Sequence, residues 1–435
     1  MSSIEDLALS ITEQVSRLSS LLQEAGLPSP TFDESGSSDF THVTDTPMGK
    51  SLREARSRIQ DLAKDLGRLV QGPTEHLLAL TLAYADSANI KLIADLRIHE
   101  HVPLGSSISI KELAAAVRIP EHLLARIVRY GIANSVFVEE SPNIIRHSAS
   151  SALLVQNPHL PNIIRFGAGC LGNSVMNIPE AVLLQRDDPS HAPDCAFNLA
   201  YRTDESLFSY CHRNEAMNKE YHEFLAGRVN TPMWSFDRLR AAWPWGSLGK
   251  VKVVDVGGSI GHTVLALAPL MPDATFVIQD NNLGALEMGR RGVARDSSLK
   301  SRISFEEYNF FEPQPVQADI YIYRHILHDW DDENAVKILS SLLPGLRPGA
   351  KILISETVLP EPPAKRLNTF PSKHVRVEDM FMLAAHNSHE RTVSEFESLF
   401  HRVIPGGFRL AGVTSGAEAG AFQSLLEFEF VGLAN

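Results

Sequence analysis

The segment Val253-Val-Asp-Val-Gly-Gly-Ser-Ile-Gly-His-Thr263 joins a run of β-branched residues to a glycine-rich turn. At Gly257, Gly258 and Gly261 the backbone can approach a ligand closely, because no side chain stands in the way. Open α/β sheets bind ligands at such turns, at the carboxyl ends of strands. Glycine also serves strand-to-helix packing alone, so the turn needs a partner signal. Thr275-Phe-Val-Ile-Gln-Asp280 supplies one, an apolar strand ending in an acid. Asp280 follows Gly257 at the interval of about 20 residues at which a second-strand carboxylate accepts both hydroxyls of a ribose. Together they predict a cofactor containing adenosine. Histidines form a third group: His325 and His328 stand three apart, as do His386 and His389. Neither pair has the HExxH pattern or cysteine partners of a metal site, so no metal is expected.

These residues need a scaffold. Apolar strands at 251–256, 275–279, 318–323 and 351–355, with helices between, predict a doubly wound parallel sheet. Phe408–Val413 and Leu425–Phe430 would add an antiparallel pair at its edge. The N-terminal half reads differently. Ile4, Leu7, Ile11, Val15, Leu18 and Leu22 repeat at helical spacing, with Ser2 and Glu5 as a capping box and Gly26 and Pro28 as a stop. Residues 29–47 are rich in Ser, Thr, Asp and Pro without Lys or Arg and read as a flexible linker. Leu52, Ala55, Ile59, Leu62, Leu66 and Leu69 form a narrow helical seam that suits either the chain's own core or a dimer. Gly72-Pro73-Thr74 ends that helix.

Residues 108–150 have a winged-helix pattern: helices at Ile110–Val117 and Pro120–Ile132, then a hairpin from Val136–Val138 and Asn143–Arg146. Its second helix offers only Arg126 and Arg129 as strong cations, which favours a structural module over DNA binding. Four parts result: an N-terminal helix (1–28), a linker (29–47), a helical and winged-helix domain (48–235) and a catalytic domain (236–435).

Composition narrows the partners. The chain has 435 residues, a formal net charge of −12 and no Lys/Arg block, so neither nucleic acid nor an anionic membrane is an expected partner. Its three cysteines, Cys170, Cys195 and Cys211, form no CxxC pair and fit a reducing compartment. With no secretory signal and no apolar stretch read as a membrane span, a cytoplasmic protein is expected.

The stretch Arg324-His-Ile-Leu-His-Asp-Trp-Asp-Asp-Glu333 follows a buried strand. With the glycine turn and Ile354-Ser-Glu-Thr-Val-Leu-Pro360, it resembles the plant and fungal small-molecule O-methyltransferases that use S-adenosylmethionine, nearest in flavour to the fungal natural-product branch. The resemblance covers most of the chain. It implies a Rossmann-like class I methyltransferase domain preceded by a mostly α-helical winged-helix domain that dimerises and roofs the substrate. It also implies His328 as general base, paired with the acids Glu356 and Glu390. Gly257, Gly258, Gly261, Asp280, Asn309, Phe310 and Arg324 would contact S-adenosylmethionine, and Met382 and Asn387 would line the substrate pocket. The chemistry is self-consistent. A phenol ionises near pH 10, about as free tyrosine does. A neutral imidazole can take its proton as the oxygen attacks the methyl group, while a carboxylate behind the ring fixes the tautomer.

Five positions depart from the family pattern. Ser259 replaces a third glycine, Asn281-Asn282 a Leu-Pro pair, Asn309 an acid and His325 a tryptophan. The implied activity is O-methylation of a phenolic or enolic hydroxyl on a small natural product, by a homodimer. A pericyclase or dehydratase built on the same pocket, with His328, Lys337 or Arg324 polarising a carbonyl, is the enzymatic alternative. A non-catalytic winged-helix regulator is the alternative of another class.

Overall fold

A computed structural model describes residues 3–36, 46–231, 234–294, 297–362, 369–415 and 423–432. The chain divides into two compact units: Met1–Pro179 with Ala200–Pro232, and Glu180–Leu199 with Met233–Asn435.

In the first unit, helix Ile4–Glu24 packs against helix Pro47–Leu82. Leu7 and Leu22 from one and Leu52, Ala55 and Leu62 from the other are buried, so the narrow seam serves the chain's own core. The capping box lies one residue later than its sequence pattern suggested: Ser3 Oγ accepts from the Asp6 amide at 3.1 Å, and Asp6 returns a carboxylate to the Ser3 amide at 3.0 Å. Gly72, at φ 74°, breaks the second helix as expected. The winged helix comprises β1 (Ser107–Ser109), helices Ile110–Val117 and Glu121–Ala133, β2 (Phe137–Ser141) and β3 (Ile144–His147), in sheet order β1-β3-β2. Arg129 is tied to the wing, donating to Glu139 at 3.1 Å and to Asn143 at 2.8 Å.

The segment before helix Pro47–Leu82 is held in part. Asp33 bridges to Ser148, and the Ala149 amide donates to the Phe32 carbonyl at 3.0 Å. Residues 37–45 of the expected linker lie outside the described residues. Around and past Gly72 the helical run leaves Leu69, Val70, Leu77, Leu78, Leu80, Leu82 and Tyr84 exposed. By length and composition Pro47–Asp95 is apolar enough to cross a membrane, contrary to the expectation that no stretch is.

The second unit carries the remaining strands: β4 (Lys252–Val256), β5 (Thr275–Asp280), β6 (Ile303–Glu307), β7 (Ile320–Arg324), β8 (Lys351–Leu359), β9 (Arg391–Thr392), β10 (Phe408–Thr414) and β11 (Gln423–Phe430). Their order is β10-β11-β8-β7-β4-β5-β6, with β9 beside β8. The central pairs are parallel, and β11 joins β8 antiparallel, as does β10 to β11. Side chains alternate between two apolar layers. Val254, Val256, Tyr321, Tyr323, Ile352 and Ile354 face one, and Val253, Phe276, Ile278, Ile320, Ile322 and Leu353 face the other. Burial on both faces explains why these strands read as continuous apolar runs. The strand order reverses between β4 and β7, the switch point outside which open α/β sheets form a crevice.

Segment Glu180–Leu199 goes with this unit, where the Cys195 thiol donates to the Ala385 carbonyl at 3.2 Å.

Candidate active site

Sheet register brings the predicted residues together. Val256 pairs with both Gln279 and Tyr323, Asp280 pairs with Glu307, and Arg324 pairs with Ser355. The ends of β4, β5, β6 and β7 therefore share one edge with Glu356, the residue after Ser355.

The glycine turn is a tight cradle. Gly257 and Gly261 have φ of +71° and +89°, which side chains disfavour. A Cβ would lie 2.4 Å from Ile326 at Gly257, 2.6 Å from the Asp255 carboxylate at Gly258 and 2.5 Å from Ile278 at Gly261. Ser259 fills the third position at φ 51°, and its amide donates to Asp280 Oδ2 at 2.9 Å. Asp280 Oδ1 accepts from the Asn282 amide at 2.8 Å, while the Asn282 side chain caps helix Leu283–Val293. Hence the Asn-Asn departure after Asp280 has a local cause, a helix cap. Burial raises the Asp280 carboxyl, against the pull of those amides.

Phe310 is half-buried against Trp330, with ring centroids 5.9 Å apart. Asn309 is exposed, and its side-chain oxygen accepts from the Phe311 amide at 3.1 Å, a turn contact. Arg324 stacks over Phe236 at 4.6 Å and donates to Gln423 at 3.1 Å. Asp255 is fully buried, and its Oδ2 has no hydrogen-bond partner. Burial pushes its carboxyl up to about 7, with Arg324 opposing. A backbone cradle, a half-buried strand-end carboxylate and an unpaired buried acid fit a ligand that carries a ribose and a cationic amine.

The proposed base sits in the short 3-10 turn Leu327–Asp329, which follows His325 at φ 53°. His328 is buried, and its Nδ1 lies 2.9 Å from Glu390 Oε1. Glu356 holds the backbone behind the ring: its Oε1 accepts from the amides of Ile326 at 3.1 Å and Leu327 at 2.7 Å. Only Glu390 of the two acids therefore contacts the imidazole directly by a hydrogen bond. Burial disfavours charge on His328, but Glu390, Asp329 and Glu356 outweigh it and push the imidazole up to about 10. Burial likewise raises Glu390, to about 7, and raises Glu356, with His328 opposing in both. Donor atoms of His328, Glu356 and Glu390 lie within 4.8 Å of one another, a spacing that a cation could bridge. One oxygen on each glutamate remains without a hydrogen-bond partner.

Three residues that the sequence left without a role brace this cluster. Arg391, fully buried, donates to the carbonyls of Leu327 at 2.8 Å and Trp330 at 2.7 Å, flanking the base. Its Nε and Nη2 reach Asp332 at 3.0 and 2.9 Å. Asp379 accepts from the Glu390 amide at 3.0 Å. The Ser388 hydroxyl donates to the His328 carbonyl. The signal available for Arg391 was its place beside Glu390 in His389-Glu-Arg-Thr392.

Met382 is buried on helix Phe370–His386, which packs against β8 and the turn carrying His328. Asn387 is the exposed left-handed cap of that helix, at φ 52°, a position that favours asparagine for backbone reasons. Lys337 is exposed and bonded to Asn334 at 3.2 Å, away from the base cluster.

Residues 177–409 match the model of the O-methyltransferase domain. The chain is 34% identical over 410 residues to O-methyltransferase VdtC of Byssochlamys spectabilis, covering 93% of each. It is 32% identical over 432 residues to the grayanic acid biosynthesis cluster O-methyltransferase of Cladonia grayi, covering 99% of this chain and 89% of that one. A solved structure described as a pericyclic reaction enzyme shares the fold, with a TM-score of 0.72 and 21% identity over 96% of this chain and all of that one. This chain belongs to the O-methyltransferase family and is an S-adenosylmethionine-dependent O-methyltransferase of natural-product biosynthesis.

Proposed function

We propose that the hydroxyl methylated is phenolic or enolic and that His328 is the base that deprotonates it. The observation that carries this is the His328–Glu390 contact of 2.9 Å in a buried site. Glu390 accepts the Nδ1 proton, which leaves Nε2 as the lone-pair nitrogen. As the substrate O–H bond breaks, Nε2 gains the proton, and the carboxylates of Glu390 and Glu356 stabilise the imidazolium. Glu356 keeps the base turn in place through two backbone amides. Gly257, Gly258, Gly261, Asp280, Phe310 and Arg324 would hold the cofactor, with Asn309 at the rim; when bound, it supplies an activated methyl group. Met382 and Asn387 would face the substrate.

The exposed apolar row Leu77, Leu78, Leu80, Leu82 and Tyr84 supports a homodimer, because a soluble chain rarely leaves such a patch uncovered. We place the enzyme in the cytoplasm, in keeping with its three free cysteines.

His328→Ala should abolish methyl incorporation from isotopically labelled S-adenosylmethionine into phenols while leaving cofactor binding nearly intact by calorimetry. Retained methylation would sink the base assignment. The fold shared with a pericyclic reaction enzyme favours one second reading, a cyclisation in the same pocket. Product formed without methyl incorporation would establish it.

A further inference from the structure

The proton that His328 takes from substrate must leave before the next turnover. Nδ1 is engaged with Glu390 at 2.9 Å, and a proton handed to that carboxylate would stay enclosed, since the Glu390 side chain has no exposure. Glu356 Oε1 is committed to the amides of Ile326 and Leu327. On the Nε2 side stands Asp329, whose Oδ1 lies 3.5 Å from His328 Nε2. The same oxygen lies 3.5 Å from Nε2 of His386. One carboxylate oxygen thus sits between two imidazoles that come from different elements: the turn Leu327–Asp329 and the last residue of helix Phe370–His386.

We propose that Asp329 and His386 are a relay that carries the abstracted proton away from His328. This rests on the reading of His328 as the base. In the methyl-transfer step the substrate O–H bond breaks and the Nε2–H bond forms, as the O–CH₃ bond forms and the S–CH₃ bond breaks. In the relay the Nε2–H bond of His328 breaks, Asp329 Oδ1 takes the proton and passes it to His386 Nε2, and His386 releases it to water. His328 is then neutral again and no other reactant is consumed.

Three features suit His386 to the last station. Burial lowers its basicity against the opposing pull of Asp329, so a proton that reaches it is readily given up. It ends a helix, where the dipole stabilises an imidazolium once formed. It is also less enclosed than Glu390: its side chain is 9% exposed against 0%, and the next residue, Asn387, is exposed. Asp329, at 15% side-chain exposure, is held between the two rings.

The test compares the first turnover with the steady state. His386→Gln keeps a hydrogen-bonding amide near Asp329 but cannot carry a proton, and His386→Phe removes both functions. Wild type and variants are mixed with S-adenosylmethionine labelled at the methyl group and with the hydroxynaphthoic acid or hydroxybenzoic acid that the wild type methylates fastest. Both variants should keep a first-turnover rate within about twofold of wild type and lose on the order of a hundredfold in steady-state rate, the low end of a proton-transfer contribution. The slowed steady state should acquire a deuterium solvent isotope effect larger than that of wild type. Asp329→Asn should show the steady-state loss and the larger isotope effect as well, with a slower first turnover in addition, because Asp329 also helps to raise the His328 imidazole. A wild-type steady state in His386→Gln overturns the relay. So does an equal loss in both phases of His386→Phe that Gln restores, since that marks a packing role. If His328→Gln keeps a wild-type first turnover, the base reading falls and the relay with it; if His328→Gln is inactive while His386→Gln is unaffected, the relay alone falls.

Discussion

Replacing Glu390 by Gln isolates the charge behind the base. The side chains are nearly isosteric, and the amide oxygen can still accept from Nδ1 of His328, so the tautomer is kept. What is lost is a carboxylate 2.9 Å from a ring that becomes cationic as it takes a proton. Both groups are buried, so water does not screen the loss. Hydrogen bonds to charged groups contribute about 1.5–3 kcal/mol, and each 1.4 kcal/mol is tenfold in rate, so kcat should fall about 10- to 150-fold. The direction of the pH profile follows too. Glu390 is among the groups that push His328 up to about 10 against its burial. Without that carboxylate the ring loses its proton at lower pH, and the limb of kcat/KM assigned to the base should move towards acid. The assay is initial-rate methyl incorporation across pH, with calorimetry of S-adenosylmethionine binding and a thermal melt as controls. A Gln variant with wild-type kcat and an unmoved limb would refute the reasoning. Loss of cofactor binding in parallel would place Glu390 in a different role.

Other expectations follow from the same contacts. Arg391→Leu strips a buried cation from two carbonyls and from Asp332, and breaking such a network costs about 3–5 kcal/mol, so the melting temperature should drop by several degrees and the activity with it. A melt within a degree of wild type would contradict the bracing role. Asp255 has a carboxyl raised by burial to about 7, so folding favours its protonated form; its contribution is present at low pH and lost as pH rises through 7. Asp255→Asn should therefore gain stability relative to wild type between pH 5 and pH 8, read as the difference in melting temperature at the two pH values, and a constant difference would rule this out. Leu77→Asp combined with Leu80→Asp should convert a dimer to monomer in light scattering, since both side chains are exposed on the same helical face. An unchanged mass would move the interface elsewhere.

Local chemistry determined much that was legible without coordinates. The β-branched run, its glycine turn and the following helix are set by neighbours in sequence, and Gly257 and Gly261 have the positive φ that their type suggested. Asp280 ends its strand because an acid disfavours the sheet interior and suits the edge where amides wait for it. The strand at Ile303–Glu307 escaped composition alone, since it lies at the sheet margin and carries only two apolar residues before two glutamates. Which of two acids touches the imidazole was not legible. Glu356 lies within β8 and Glu390 follows a helix cap, and the pairing of β9 with β8 brings Glu390 across 62 residues to His328. The same holds for Arg391 behind the base and for Asp329 between two histidines. Periodicity and turn chemistry act over a few residues, so they specify elements and their ends. Contacts such as these depend on strand order and register, which arise when two faces of the sheet are buried at once, and no single stretch of sequence contains that information.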